Sequence, residues 1–254
     1  MAWWGTVIGG TLGWMFGGPL GAILGAALGG NFDRGIKLGD NVDPRFGPGN
    51  QERVQTAFFT TTFSVMGHIA KIDGHVSPHE IQAAQGLMAQ MQLNSQQRAA
   101  AIKLFEQGKA DDFPLHDILL QFKKECHGRR NLIQMFVEIQ IGTALADGKL
   151  DPAEKTLLYT IGQTLSFTRA DIDHLFSLAN GTKASSSDSL THAQAYKILG
   201  VSKDASKADI KKAYRRLMSQ HHPDKLVSKG LPDEMIQLAT EKTQEIRKAY
   251  DLVK

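Results

Sequence analysis

Hydrophobic residues along the chain fall into three regimes. From Ala2 to Asn31 no charged side chain interrupts them, and glycine is the main break. From Glu52 to about Ala179 they recur at spacings of three and four, the period of amphipathic helices. Val54, Phe58, Val65 and Ile69 form one stripe; Leu115, Ile118, Leu119 and Phe122 a second; Leu132, Met135, Phe136 and Ile139 a third; Ile172, Leu175, Phe176 and Ala179 a fourth. No stretch alternates as a half-buried strand would. The pattern predicts a bundle of about seven helices. From Leu190 onward the helical period returns on shorter elements. Tyr196 and Leu199 point one way on the first; Ile210, Ala213, Tyr214, Leu217 and Met218 line the second; Ile246, Ala249, Tyr250 and Val253 match them on the third. The last two helices are expected to pack antiparallel through these faces.

The first regime reads as a transmembrane helix. A helix from 2 to 31 would span about 45 Å, ample for a hydrocarbon core of about 30 Å. Gly5, Gly9, Gly13, Gly17, Gly21, Gly25 and Gly29 recur every fourth residue. In water each glycine costs a helix roughly 1 kcal/mol against alanine. In lipid the backbone has no other partner, so the helix holds. A row at that spacing offers a flat face for close approach by a second copy, so a homodimer through the span is expected. Arg34, Lys37 and Arg45 follow the span and should stay in the cytoplasm, with the N-terminus outside. A secretory signal would need a basic start and a shorter apolar core.

Glycine, proline and charge mark 32–51 as a linker, and small polar residues mark 180–189 as another. The expected division is therefore 1–31, crossing the membrane at about 7–30, then a bundle at 52–179 and a terminal unit at 190–254. The bundle contains a repeat: "AKIDGHVSPHE" (Ala70 to Glu80) matches "ALADGKLDPAE" (Ala144 to Glu154). Glycine ends one helix, Ser77 or Asp151 caps the next, Pro78 or Pro152 takes its first position, and Glu80 or Glu154 bonds back to the cap. Local helix capping thus explains every repeated residue except the aspartate before the glycine. A calcium loop is the rival reading, but its first and third ligand positions are Ile69 and Lys71 in one copy, Thr143 and Leu145 in the other. What remains of that rival is a looser metal site using Asp73, Glu80, Asp147 and Glu154. These paired units resemble the TerB (tellurite-resistance) domain.

Composition adds little. The net charge of +3 over 254 residues does not call for nucleic acid, and one cysteine, Cys126, rules out a disulfide framework. Charge distribution says more: Leu190 to Lys254 carries 13 Lys and Arg against 8 Asp and Glu, a net +5, so the remainder carries −2. That excess suits an acidic partner. Ser206 and Asp209 are expected to form a capping box for the basic helix. At the helix's far end stands "MSQHHPDKL" (Met218 to Leu226). Neighbouring His221, His222 and Asp224 lack a second cluster for tetrahedral metal ligation. Ser219, His222 and Asp224 lack the scaffold and oxyanion hole of a hydrolytic triad. No enzyme activity and no cofactor are expected of this chain.

"IKKAYRRLMSQHHPDKL", together with "YKILGV" and "EIRKAYDLV", resembles the J-domain of DnaJ-type co-chaperones. The resemblance implies that His222, Pro223 and Asp224 bind a DnaK-type ATPase and trigger ATP hydrolysis there. It implies that Lys211, Lys212, Arg215 and Arg216 dock on an acidic surface of that partner; Lys225 extends the positive face. The order of parts resembles the membrane-anchored DnaJ-like co-chaperones of Gram-negative bacteria. Their likeness implies an inner-membrane regulator, with membrane lipid and DnaK as partners and a role in envelope stress and capsule signalling. No Gly/Phe-rich segment and no zinc-binding cysteines are present, so the substrate-binding half of a full DnaJ is missing. The expected whole is all-α: a single N-terminal transmembrane helix, a TerB-like bundle, and a C-terminal J-domain hairpin. A different class of function, a metal or stress sensor built on the bundle with the hairpin as output, rests on the aspartates of the repeat. An organellar import-motor subunit would also join a glycine-rich span to a J-domain, but the large central bundle does not suit it.

Overall fold

A computed structural model describes residues 18–27, 50–74, 76–146, 150–183 and 190–254. Among them every regular element is helical. α1 covers 18–27. Seven helices follow in the central region: α2 (Asn50–Lys71), α3 (Pro78–Gln90), α4 (Ser95–Gly108), α5 (Leu115–Glu125), α6 (Arg130–Ala144), α7 (Pro152–Thr164) and α8 (Arg169–Lys183). The terminal region holds α9 (His192–Leu199), α10 (Lys207–His221), α11 (Pro223–Val227), a 3-10 turn at Asp233–Met235 and α12 (Ile236–Val253). Seven central helices among the described residues agree with the bundle of about seven that the periodicity predicts.

The described residues fall into two compact units, Met1–Gly128 and Arg129–Lys254. The division lies between α5 and α6, so α6 to α8 share a unit with the terminal hairpin.

In the first unit α2 is the spine. Val54, Phe58, Val65 and Ile69 are buried as their spacing predicts. So are Thr60, Thr61, Thr62 and Ser64, which a hydropathy pattern would place outside. A helix enclosed on every side has no polar face to present, and Ser64 Oγ answers by donating to Thr60 O one turn back, at 2.8 Å. α2 crosses α4 with backbones in direct contact at Gly67 and Gly108. Phe58 meets Phe122 of α5 edge-on, 5.8 Å between centroids.

His68 sits at that crossing. Its Nδ1 lies 3.2 Å from Gly108 O, and its ring tilts against Phe113 with 5.1 Å between centroids. Burial pushes its pKa below the ordinary histidine value, against the opposing pull of the Gly108 carbonyl. The unfolded chain titrates near 6.5. As pH falls through that value the unfolded state takes up a proton that the folded state refuses, so stability rises with pH there. The contribution of neutral His68 is complete above about pH 6.5 and is lost as acidity approaches the folded pKa. The urea midpoint should therefore fall between about pH 7.5 and 5.5, and His68→Gln, which can still donate to Gly108 O, should flatten the slope.

Both copies of the repeat cap the helix that follows as read, and Gly148, the helix-ending glycine of the second copy, lies outside the described residues. Ser77 accepts from Glu80 N–H at 3.2 Å while Glu80 Oε2 accepts from Ser77 N–H at 2.7 Å. Asp151 accepts from Ala153 N–H at 2.7 Å, and Glu154 Oε2 accepts from Asp151 N–H at 2.9 Å. Gly74 takes a left-handed φ of 91°, the conformation that favours glycine at a helix end.

α1 is the described part of the apolar N-terminal segment. Leu20 and Ala27 are buried, and Leu20 N–H donates to Gln121 Oε1 at 2.9 Å. Among the described residues no helix is long and apolar enough to cross a membrane. The rest of the expected span, with Gly5, Gly9, Gly13, Gly17 and Gly29, lies outside them.

Candidate functional site

The terminal hairpin assembles from local signals. Thr191 and Gln194 make a capping box at α9, and Gly200 closes that helix at φ 63°. Ser206 accepts from Asp209 N–H at the start of α10. The expected return bond does not form. Asp209 is one methylene shorter than glutamate, and its Oδ2 instead accepts from the Ser206 hydroxyl at 2.7 Å. Ile210 and Leu217 of α10 pack with Ile246, Ala249 and Val253 of α12 and with Ile198 and Leu199 of α9. Tyr214 and Tyr250 stack at the edge of this core, 4.2 Å between centroids. Pro232 opens the 3-10 turn rather than α12 itself, which begins at Ile236.

Core packing on one side leaves the other side of α10 to solvent. Lys211, Lys212, Arg215 and Arg216 are all exposed there, one turn apart in pairs. Lys225 is exposed too, but its Nζ turns back to donate to Ser219 Oγ at 2.8 Å, bridging α11 to α10.

The tip is a junction of two helices. His222 ends α10 and begins α11 at once, in an extended conformation (φ −60°, ψ 122°). The following proline enforces this, because its ring disfavours a helical residue before it. Pro223 then occupies the first position of α11, where its missing N–H costs nothing. The first turn closes through Leu226 N–H to His222 O at 3.0 Å. Sequence reading missed α11. Its signal was present as a proline followed by aspartate, both favoured in a first helical turn.

His222, Pro223 and Asp224 therefore share one corner. The Asp224 side chain is 92% exposed and that of His222 45%. His222 Nδ1 lies 4.0 Å from Asp224 Oδ2, too far for a hydrogen bond, and is itself shielded from solvent with no hydrogen-bond partner among the described residues. Leu226 behind the corner is fully buried. The corner thus presents an exposed carboxylate and a half-exposed imidazole on a backbone fixed by proline, beside a cationic face. It can bind and orient a partner surface.

The hairpin is not isolated within its unit. His174 of α8 sits over Gly200, where an added Cβ would come within 2.5 Å of its ring. Burial, and then the Arg216 guanidinium, hold His174 below the usual histidine pKa. His221, the first histidine of the pair, is buried, and its Nε2 lies 3.6 Å from Glu138 Oε1 of α6, an ion-pair separation.

Of the four carboxylates read as a loose metal site, Glu80 and Glu154 are engaged as capping-box acceptors. Asp147 lies outside the described residues. Among the described residues no group of three metal-ligating side chains converges. Of the glycine row, Gly21 and Gly25 fall on α1.

Comparison with known proteins places the same three parts on the chain. Residues 1–44 match the co-chaperone DjlA transmembrane domain, 60–176 the tellurite resistance protein TerB family, and 194–254 the DnaJ domain. Among curated proteins the chain is similar to the co-chaperone protein DjlA of Yersinia pestis, 40% identical with 100% of this chain and 98% of that one covered. It is similar to that of Shewanella oneidensis at 44%, covering 81% and 80%, and to that of Escherichia coli O157:H7 at 43%, covering 81% of each. No solved structure matches the chain.

Proposed function

The chain belongs to the DjlA co-chaperone family, and from that premise we propose a single-pass inner-membrane protein that recruits DnaK to the cytoplasmic face and stimulates its ATPase. It is a DnaJ-like co-chaperone with a J-domain at its C-terminal end. The observation that carries the finer reading is the open corner: Asp224 stands exposed beside half-buried His222 and Pro223, at the end of a helix whose cations, Lys211, Lys212, Arg215 and Arg216, all face solvent. The cationic face steers and docks an acidic surface of the ATPase, and the corner engages it. Lys225, tied to Ser219, extends the face past the corner. ATP cleavage belongs to the partner. The transmembrane-domain match supports anchoring by the N-terminal segment. Arg34, Lys37 and Arg45 support a cytoplasmic bulk, and the glycine row from Gly5 to Gly29 supports pairing of two spans. A place in envelope-stress and capsule signalling is the part of the proposal that only family membership supports.

The test is single-turnover ATP hydrolysis by DnaK with the full chain reconstituted in vesicles. Wild-type chain should accelerate hydrolysis, and added salt should weaken the effect. Reversing charge at Lys212 and Arg215 should raise the half-saturating concentration on the order of tenfold and reduce the salt dependence. Wild-type chain that leaves hydrolysis unchanged would sink the proposal.

A further inference from the structure

Within the second unit, α6 grips the backbone on both sides of the corner. Arg129, at the start of α6, donates from Nη1 to Lys229 O at 2.6 Å. Asn131 Nδ2 faces Gln220 O at 3.5 Å. These two carbonyls bracket the corner, one on the last turn of α10 and the other just past α11. Further along α6, Glu138 reaches toward His221 and is itself held by Gln134 Nε2 at 2.8 Å.

The corner needs such support. α11 has five residues and no side-chain cap at its start. A helix that short is not stable by itself. Lys229 precedes Gly230, whose left-handed φ of 91° turns the chain back into the core at Leu231. Leu226 and Leu231 anchor the loop on its inner side. Arg129 fixes its outer end with a charge-assisted bond, the short and directional kind. None of these contacts covers Asp224 or the cations of α10, which stay exposed.

We infer that Arg129 and Asn131, with Glu138 behind them, are positioning residues: the second half of the bundle braces the corner at both ends and sets how well it triggers the partner, without touching the partner. The inference rests on the reading of His222, Pro223 and Asp224 as that trigger. It gives α6 a role beyond packing, because a change in α6 moves the two carbonyls that frame the corner.

Full-length chain in vesicles, titrated against DnaK in single-turnover hydrolysis, tests it. Arg129→Ala should lower the maximal stimulated rate about three- to tenfold while the half-saturating concentration holds, since the docking cations are untouched. Arg129→Lys, which keeps a charged donor, should recover part of the rate. In the same variants hydrogen exchange of amides 224–231 should speed up in Arg129→Ala, while amides in the middle of α10 and α12 stay protected. An unchanged rate, a gain in stimulation, or a rise in half-saturation alone would overturn the inference. So would loss of protection throughout the hairpin, which would make Arg129 a plain structural contact. If wild-type chain fails to stimulate, the underlying reading falls, and the exchange comparison still decides whether the brace exists.

Discussion

Asp224→Asn is expected to abolish stimulation of DnaK while leaving the chain folded. The Asp224 side chain is 92% exposed and 4.0 Å from His222 Nδ1, so the fold draws almost nothing from it. Its place in the first turn of α11 is favourable to the helix dipole, an effect of about 1 kcal/mol at most on a five-residue helix. Melting temperature should therefore shift by no more than a few degrees, roughly 2–4 °C. The functional loss is of another size. A carboxylate that meets a donor at a desolvated interface typically contributes 2–5 kcal/mol, so stimulation should drop by roughly thirtyfold or more. His222→Gln should behave alike, since its imidazole is half-exposed and its main structural duty, the extended backbone before Pro223, survives the change. The measurement is single-turnover hydrolysis beside a thermal melt of each variant. Retained stimulation in a folded Asp224→Asn chain would move the trigger elsewhere.

Gly67→Ala and Gly108→Ala carry the largest structural effect. A Cβ at Gly67 would lie 2.0 Å from Phe105 O, and one at Gly108 would lie 1.8 Å from Ser64 O. The contacts are reciprocal: each glycine faces the carbonyl one turn before the other glycine. Both obstacles are backbone, so no side chain can swing aside. α2 and α4 must separate, and the His68 to Gly108 bond goes with them. Each substitution should cost about 3 kcal/mol or more, despite the roughly 1 kcal/mol that alanine gains over glycine in a helix. Gly86 of α3 is the control. It is exposed with nothing near its Cβ position, so Gly86→Ala should stabilise by up to about 1 kcal/mol. Urea unfolding of the three variants followed by circular dichroism checks the contrast. Equal stability of Gly86→Ala and Gly108→Ala would refute the close crossing.

Much of this architecture is written locally. Capping boxes at Ser77, Asp151 and Thr191 act over three residues, so a linear reading finds two of them from the repeat alone. The same logic overreached at Asp209, where residue type suggested a box but the carboxylate takes the Ser206 hydroxyl instead of its backbone N–H. The stripes of α2, α5, α6 and α8 are buried, apart from half-buried Leu115 and Ala179 at helix ends, because a period of 3.6 converts spacing into a face. The corner was legible as a motif, and its proline fixed the backbone that the structure shows.

What spacing cannot encode is which distant face a helix meets. Thr60, Thr61 and Thr62 read as a polar run, yet they are buried because other elements enclose α2. Gly67 and Gly108 look like ordinary helix weaknesses until the two backbones touch. Arg129 lies 100 residues from the carbonyl it holds, with no local pattern to mark it. By itself, then, the amino-acid order determined the helices, their inward faces, the apolar N-terminal segment and the chemistry of the corner, since each depends on neighbours within a turn or two. Only the tertiary structure decided the glycine crossing, the enclosed threonines and the bracing of the corner by α6, because these arise where separate helices meet and short-range periodicity carries no record of the partner.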